Sequence, residues 1–201
     1  MKEQVDDLGF LRALPQELAR RFPVDATRVY ATGISNGGLM SYRLACDAAD
    51  LYAAVAPVAA NLSVELAPVC HPARAVSLLV LNGTDDPIMP WQGGPIKVLW
   101  SRRGEVLSTP ATVQRWLELD RCNALSAHSR VDAVPDDATA YIERSAQCAG
   151  SAAIDWYEIQ GGGHTWPGGV PYLGRRIVGR VSHELDANEV VWAFLSAHRL
   201  D

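Results

Sequence analysis

Residues 28–40, RVYATGISNGGLM, decide how this chain is read. Residues 28–33 are β-branched and aromatic enough for a short strand. They run directly into GISNGG, where Gly37 and Gly38 open a helical segment, GGLMSYRLACDAAD. Its Leu39, Tyr42 and Ala45 make an apolar face. The junction contains a Gly-x-Ser-x-Gly pentapeptide centred on Ser35. At average glycine usage that pattern arises by chance in about one chain in fifteen of this length, so its weight comes from context. Strand, sharp turn and helix in that order are what a nucleophile elbow requires. Small flanking residues let the chain turn and lift the hydroxyl clear of the sheet. The N–H of Asn36, at a helix N-terminus, can then face a developing oxyanion. The competing reading is an N-cap serine among glycines that serve a tight turn.

Outward from the elbow, Val5, Leu8, Leu11, Leu14 and Leu18 recur at helical spacing, which predicts a helix over 4–21 that Pro15 must break, kink or restart. PVDAT (23–27) is a turn. AAVAPVAA (53–60) and SLLVLNG (77–83) are near-continuous apolar runs, the pattern of strands buried on both faces. TPATVQRWLELD (109–120) predicts a helix capped by Ser108 or Thr109, with Pro110 in its first turn. AIDWYEIQ (153–160) alternates as a strand does, and DANEVVWAFLSAH (186–198) is an amphipathic helix capped by Asp186. Residues 161–182, rich in Gly and Arg, read as a long loop. About four or five strands alternating with helices indicate one α/β layered domain over 1–201 with a mostly parallel sheet. No repeat, low-complexity segment or linker interrupts it.

Composition narrows the function classes. A chain of 201 residues can bury about 70% of its unfolded surface in one domain. Hydrophobic residues at 48% and charged residues at 20% are ordinary for a globular protein. The net charge of −5 comes from scattered acids, without a Lys/Arg cluster, which argues against a nucleic-acid partner. The longest apolar stretch, 53–60, is too short to span a bilayer, so no membrane association is expected. MKEQVDDLGF (1–10) lacks the apolar core of a signal peptide. The four cysteines, Cys46, Cys70, Cys122 and Cys148, have neither Cys-x-x-Cys spacing nor a matching His, so no metal site is expected. They permit three disulfide connectivities, or four buried thiols, and spacing does not choose among these. The sequential pairing would close two loops of similar size, each contributing about 3 kcal/mol.

Open α/β sheets carry their chemistry at the carboxyl ends of strands, and three such ends hold reactive side chains. The first is the Ser35 elbow. Strand 77–83 ends in NGTDDP, where Asp85 or Asp86 can orient a histidine across the sheet top or simply cap a turn before proline. Strand 153–160 ends in GGGHTWPGG, and of the five histidines only His164 follows a buried-type strand within a glycine loop. Ser, then Asp, then His along the chain is the order of one triad lineage. Trp91 and Trp166, close in sequence to the acid and the base, are candidate walls for an aromatic or polyester substrate; packing in the core is the plainer reading of both. Arg175, Arg176 and Arg180 fit an acidic sugar or, more plainly, a solvated loop face.

PVDATRVYATGISNGGLMSYRLAC, LNGTDDPIMPWQGG, YEIQGGGHTWPGG and GRRIVGRVSHELDANEVVWAF together span most of the chain. In these segments the sequence resembles the secreted serine esterases grouped as polyhydroxybutyrate depolymerases and feruloyl esterases. The resemblance implies the α/β-hydrolase fold, three layers α/β/α around a mostly parallel sheet. It implies Ser35 as nucleophile, Asp86 rather than Asp85 as acid, His164 as base and Asn36 N–H as oxyanion donor, with no cofactor. The partner it implies is an ester substrate, either a hydroxycinnamate linked to polysaccharide or a polyester. It further implies sequential pairing, Cys46–Cys70 and Cys122–Cys148, and an extracellular or periplasmic setting. A complete member has about eight strands, several of them before the elbow, and a His-Gly loop that supplies a second oxyanion N–H. No such loop precedes Ser35. The expectation is therefore an N-terminally truncated sheet whose 28–33 strand is an exposed edge open to self-association.

Overall fold

The computed structural model describes residues 5–98 and 101–200. Residues 1–4, which open the 1–10 stretch and include the first residue of the helix expected over 4–21, lie outside the described residues. In chain order the elements are α1 (Asp7–Ala19), β1 (Tyr30–Ile34), α2 (Asn36–Asp47), β2 (Ala54–Val58), β3 (Ser77–Gly83), β4 (Gly94–Val98) and β5 (Ser101–Val106). They continue with α3 (Thr109–Leu119), β6 (Ser126–Ala127), β7 (Ala140–Gln147), β8 (Ala153–Gln160), α4 (Arg175–Val178) and α5 (Ala187–Ser196).

One sheet has the strand order β1-β2-β3-β8-β7-β6. Its first four strands are mutually parallel, whereas β7 and β6 run antiparallel to their neighbours. The sheet is thus mostly parallel, as expected, but holds six strands rather than four or five. Sequence reading passed over β6 and β7, and also β4 and β5, which form a separate two-stranded ribbon. Backbone bonds from Lys97 N to Ile88 O, Val64 N to Glu105 O and Leu107 N to Leu62 O tie this ribbon to the loops above the sheet.

Strand alternation divides the core between the two faces. Val55, Leu78, Val80, Ile154 and Trp156 face α2 and α3, whose Tyr42 and Trp116 rings stack 6.1 Å apart. Ala54, Ala56, Val58, Leu79 and Leu81 face Val191, Phe194 and Leu195 of α5. Three layers result, α/β/α. Among the described residues β1 lies at one sheet edge, as the resemblance implied.

Local chemistry explains the helix limits. α1 starts at Asp6, whose carboxylate accepts the Gly9 N–H at 2.8 Å, and it runs through Pro15 unbroken. Of the break, kink or restart expected at Pro15, the continuous helix excludes the break and the restart. The missing proline N–H would leave the carbonyl four residues back unpaired, and the Tyr52 hydroxyl donates to that Leu11 oxygen at 2.9 Å instead. Ser108 caps α3 through Ala111 N–H, with Pro110 in the first turn, and Asp186 caps α5 through Asn188 N–H. Both cysteine pairs are disulfides in the sequential pattern, Cys46–Cys70 and Cys122–Cys148. No helix among the described residues is long and apolar enough to cross a membrane.

Candidate active site

The carboxyl ends of β1, β3 and β8 carry Ser35, Asp86 and His164, and parallel pairing brings these ends to one rim of the sheet. Ser35 sits between β1 and α2 with φ 58 and ψ −115, a left-handed region costly for a residue with a Cβ. Its side chain does not cap α2, which removes the N-cap explanation for this serine. The turn depends on close backbone approach. A Cβ on Gly33 would lie 2.8 Å from the Gly37 Cα, and one on Gly38 would lie 2.5 Å from the Ala60 Cβ. As the first residue of α2, Asn36 has an N–H with no acceptor inside the helix.

Asp86 and His164 form a buried pair. His164 Nδ1 lies 2.7 Å from Asp86 Oδ2, with side chains 1% and 2% exposed. The other carboxylate oxygen, Oδ1, accepts the N–H groups of Ile88 at 2.8 Å and Met89 at 2.7 Å. Three donors converge on this one carboxylate when Nδ1 carries the imidazole proton, the tautomer in which the ring donates to Asp86. Nε2 is left as the ring nitrogen able to accept a proton. Asp85, by contrast, is an exposed side chain that reaches Arg180 at 3.5 Å.

Glycines allow the His164 loop to settle on the end of β3. A side chain at Gly83 would collide with the Gly162 carbonyl, and one at Gly163 with the Val178 carbonyl. Backbone bonds join Asp85 N to Gly162 O, Gly163 N to Arg180 O and His164 N to Val178 O. Asp86 and His164 therefore sit on two loops that are stitched to each other. Beneath them, buried Asn82 links strand ends: its amide donates to Ala60 O and Asn61 Oδ1 and accepts from Ala60 N–H.

Ser35, Asn36 and His164 line one cavity of about 430 Å3. Its remaining walls are Ile88 and Met89 from the loop after β3, Ile96, Val98 and Arg103 from the ribbon, and Tyr172, Leu173 and Ile177 from the region around α4. The Ser35 hydroxyl makes no hydrogen bond to another described residue, so the cavity, not a direct bond, relates it to His164. Burial, followed by the negative charge of Asp86, raises the Tyr172 phenol above its ordinary range. Among the described residues no cluster of ligating side chains could hold a metal ion.

Trp91 and Trp166 do not line this cavity. Trp91 stacks on Trp156 at 5.8 Å, and Trp166 packs against the α5 side of the core, so the structure places both in packing roles. The eight wall residues were not singled out in the sequence. A usable signal existed in Ile96 and Val98, which alternate and so project to one side of β4.

Comparison with known proteins adds to this geometry. Residues 10–67, which include the elbow, match the model of the Prolyl oligopeptidase family. Feruloyl esterase B of Piromyces equi is 30% identical over 161 residues, covering 79% of this chain and 29% of that protein. The "Putative esterase NocK" of Nocardia uniformis subsp. tsuyamanensis is 31% identical over 196 residues, covering 94% of this chain and 57% of its own length. The chain thus spans between about a third and little more than half of these relatives' lengths. A solved thermostable esterase aligns with TM-score 0.43 and 19% identity over 57% of this chain and 26% of its own, too distant to bear on the reading.

Proposed function

Since the chain belongs to the esterase family of α/β-hydrolases, we propose that it hydrolyses carboxylic esters through an acyl-enzyme on Ser35. The observation that carries this reading is the buried 2.7 Å contact of His164 Nδ1 with Asp86, which leaves Nε2 as base on a cavity shared with Ser35. Nε2 takes the Ser35 proton as Oγ bonds to the ester carbonyl carbon. The carbonyl oxygen becomes an oxyanion facing the Asn36 N–H. Collapse of the tetrahedral adduct breaks the bond to the alcohol oxygen, which receives the proton from Nε2. Water, deprotonated by the same nitrogen, then releases the acid and restores Ser35. Asp86 stays ionised and stabilises the imidazolium.

The substrates proposed are hydroxycinnamoyl esters of plant polysaccharide or a hydroxyalkanoate polyester. The first is supported by relatives named feruloyl esterases, and the apolar cavity walls suit either acyl group. The two disulfides support an extracellular or periplasmic setting. Edge strand β1 is where self-association would occur. The match to the Prolyl oligopeptidase family favours one second reading, peptide-bond cleavage by the same residues. An acyl-enzyme site serves both chemistries, so substrates must separate them. The test compares 4-nitrophenyl hexanoate with a peptidyl 4-nitroanilide on the wild-type chain and on Ser35→Ala. Ester turnover abolished by Ser35→Ala is the expected result. Turnover that survives the substitution would overturn the assignment, and faster anilide cleavage would favour the peptidase.

A further inference from the structure

Among the described residues the cavity walls include one charged side chain, that of Arg103. Arg103 lies on β5 and lines the cavity together with Ile96 and Val98 of β4. The ribbon register shifts between Pro95 and Lys97, and Gly104, next to Arg103, has φ 101. Irregularities of this kind re-aim side chains in two-stranded ribbons. Among the described residues no Asp or Glu lines the cavity, although the chain as a whole carries a net charge of −5. Arg12, Arg43, Arg115, Arg130, Arg144 and Arg180 each face a carboxylate. Arg103 makes no ion pair or hydrogen bond with another described residue, and its strand neighbour Glu105 is not on the cavity wall. A guanidinium offers a rigid planar fork of donors that matches a carboxylate with two parallel bonds.

We propose that Arg103 selects esters that carry a carboxylate, binding that group while the ester carbonyl lies at Ser35. The substrate class is an amphiphilic monoester. Its apolar portion rests on Ile88, Met89, Leu173 and Ile177, and its anionic end meets Arg103. This deepens the esterase reading and rests on it. Because Arg103 is exposed, water screens the contact, and selectivity of about five- to tenfold is the expected scale.

The test uses three esters: 4-nitrophenyl hexanoate, 4-nitrophenyl monoadipate with a carboxylate on the acyl chain, and 4-(hexanoyloxy)benzoate with one on the leaving alcohol. Values of kcat/KM are measured for wild type, Arg103→Ala and Arg103→Lys at low and high salt. Arg103→Ala is expected to lose about five- to tenfold more on one of the anionic esters than on the hexanoate, chiefly through KM. Arg103→Lys should retain part of the margin, and high salt should erode it in wild type. The ester that shows the effect identifies the side on which the carboxylate is read. Equal losses on all three esters, or none, overturn the proposal. If wild type turns over none of them, the esterase reading fails, and calorimetric binding to Ser35→Ala then decides Arg103 separately. An anionic ester bound more tightly than the neutral one, with the difference lost on adding Arg103→Ala, supports it; equal binding rejects it.

Discussion

Replacing Asp86 by asparagine tests the proposed base directly, because the surroundings dictate which way the amide must face. Oδ1 of Asp86 receives two backbone N–H groups, from Ile88 at 2.8 Å and Met89 at 2.7 Å. The asparagine carbonyl must keep that position. Turning the NH2 toward those donors would leave two buried N–H groups unpaired, at about 1–3 kcal/mol each. The NH2 therefore occupies the place of Oδ2, 2.7 Å from His164 Nδ1. Two donors cannot share that contact, so Nδ1 must become the acceptor and the imidazole proton moves to Nε2. In that tautomer Nε2 has no lone pair with which to take the Ser35 proton. In serine hydrolase triads this swap lowers kcat by about four orders of magnitude, or about 5 kcal/mol of transition-state stabilisation. The assay is kcat on 4-nitrophenyl hexanoate, with circular dichroism and urea unfolding to verify the fold. Asp85→Asn is the matched control, since among the described residues the exposed Asp85 side chain reaches only Arg180 and Thr84, and it should stay within about twofold of wild type. A folded Asp86→Asn chain that keeps a tenth or more of wild-type kcat would refute the reasoning.

Other expectations concern stability. Asn82→Ala strips buried Ala60 of partners for both its N–H and its C=O, so urea unfolding should show a loss of about 2–4 kcal/mol; under 1 kcal/mol would mean that the network is dispensable. Burial raises the Asp120 carboxyl from 3.8 to about 7, with its Oδ2 lacking a partner among the described residues. Between those values the unfolded chain has released the proton that the folded chain retains, so stability falls as pH rises through the window, by up to roughly 4 kcal/mol. Asp120→Asn should be increasingly the more stable protein as pH rises from about 4 to 8, and a pH-independent difference would contradict this. The disulfides join cysteines 24 and 26 residues apart. Each Cys→Ser pair should therefore cost about 3.5 kcal/mol in urea unfolding, and a negligible shift would show that the loops are held by packing instead.

Legibility in the sequence followed burial. β3 and β8 occupy the stretches predicted from their apolar or alternating residues, and β2 falls inside its own, because strands covered on two faces must be apolar. The helix starts at Ser108 and Asp186 were equally readable, since capping chemistry is local. β7, AYIERSAQ, was invisible for the opposite reason. Its Arg144 finds Glu158 of β8 at 2.7 Å and lies 4.7 Å from the centre of the Trp156 ring. A charge that looks solvated in one strand is thus accommodated only once the next strand is beside it. Local proximity also misled. Trp91 and Trp166 stand near Asp86 and His164 in sequence, yet sequence distance does not say which way a ring points, and both rings turn into packing.

The sequence by itself determined the order of strand and helix around Ser35, the glycines its turn demands, and the presence of an acid and a histidine after two later strands. These are local requirements of backbone geometry, and each is written within a few residues. Only the tertiary structure decided that the Asp86 carboxylate meets His164 Nδ1 in a buried contact, that Ser35 shares a cavity with that histidine, and that Arg103 stands on its wall. Those relations join residues separated by tens of positions. They exist because parallel pairing aligns three strand ends at one rim and because the ribbon and the region around α4 supply walls above it.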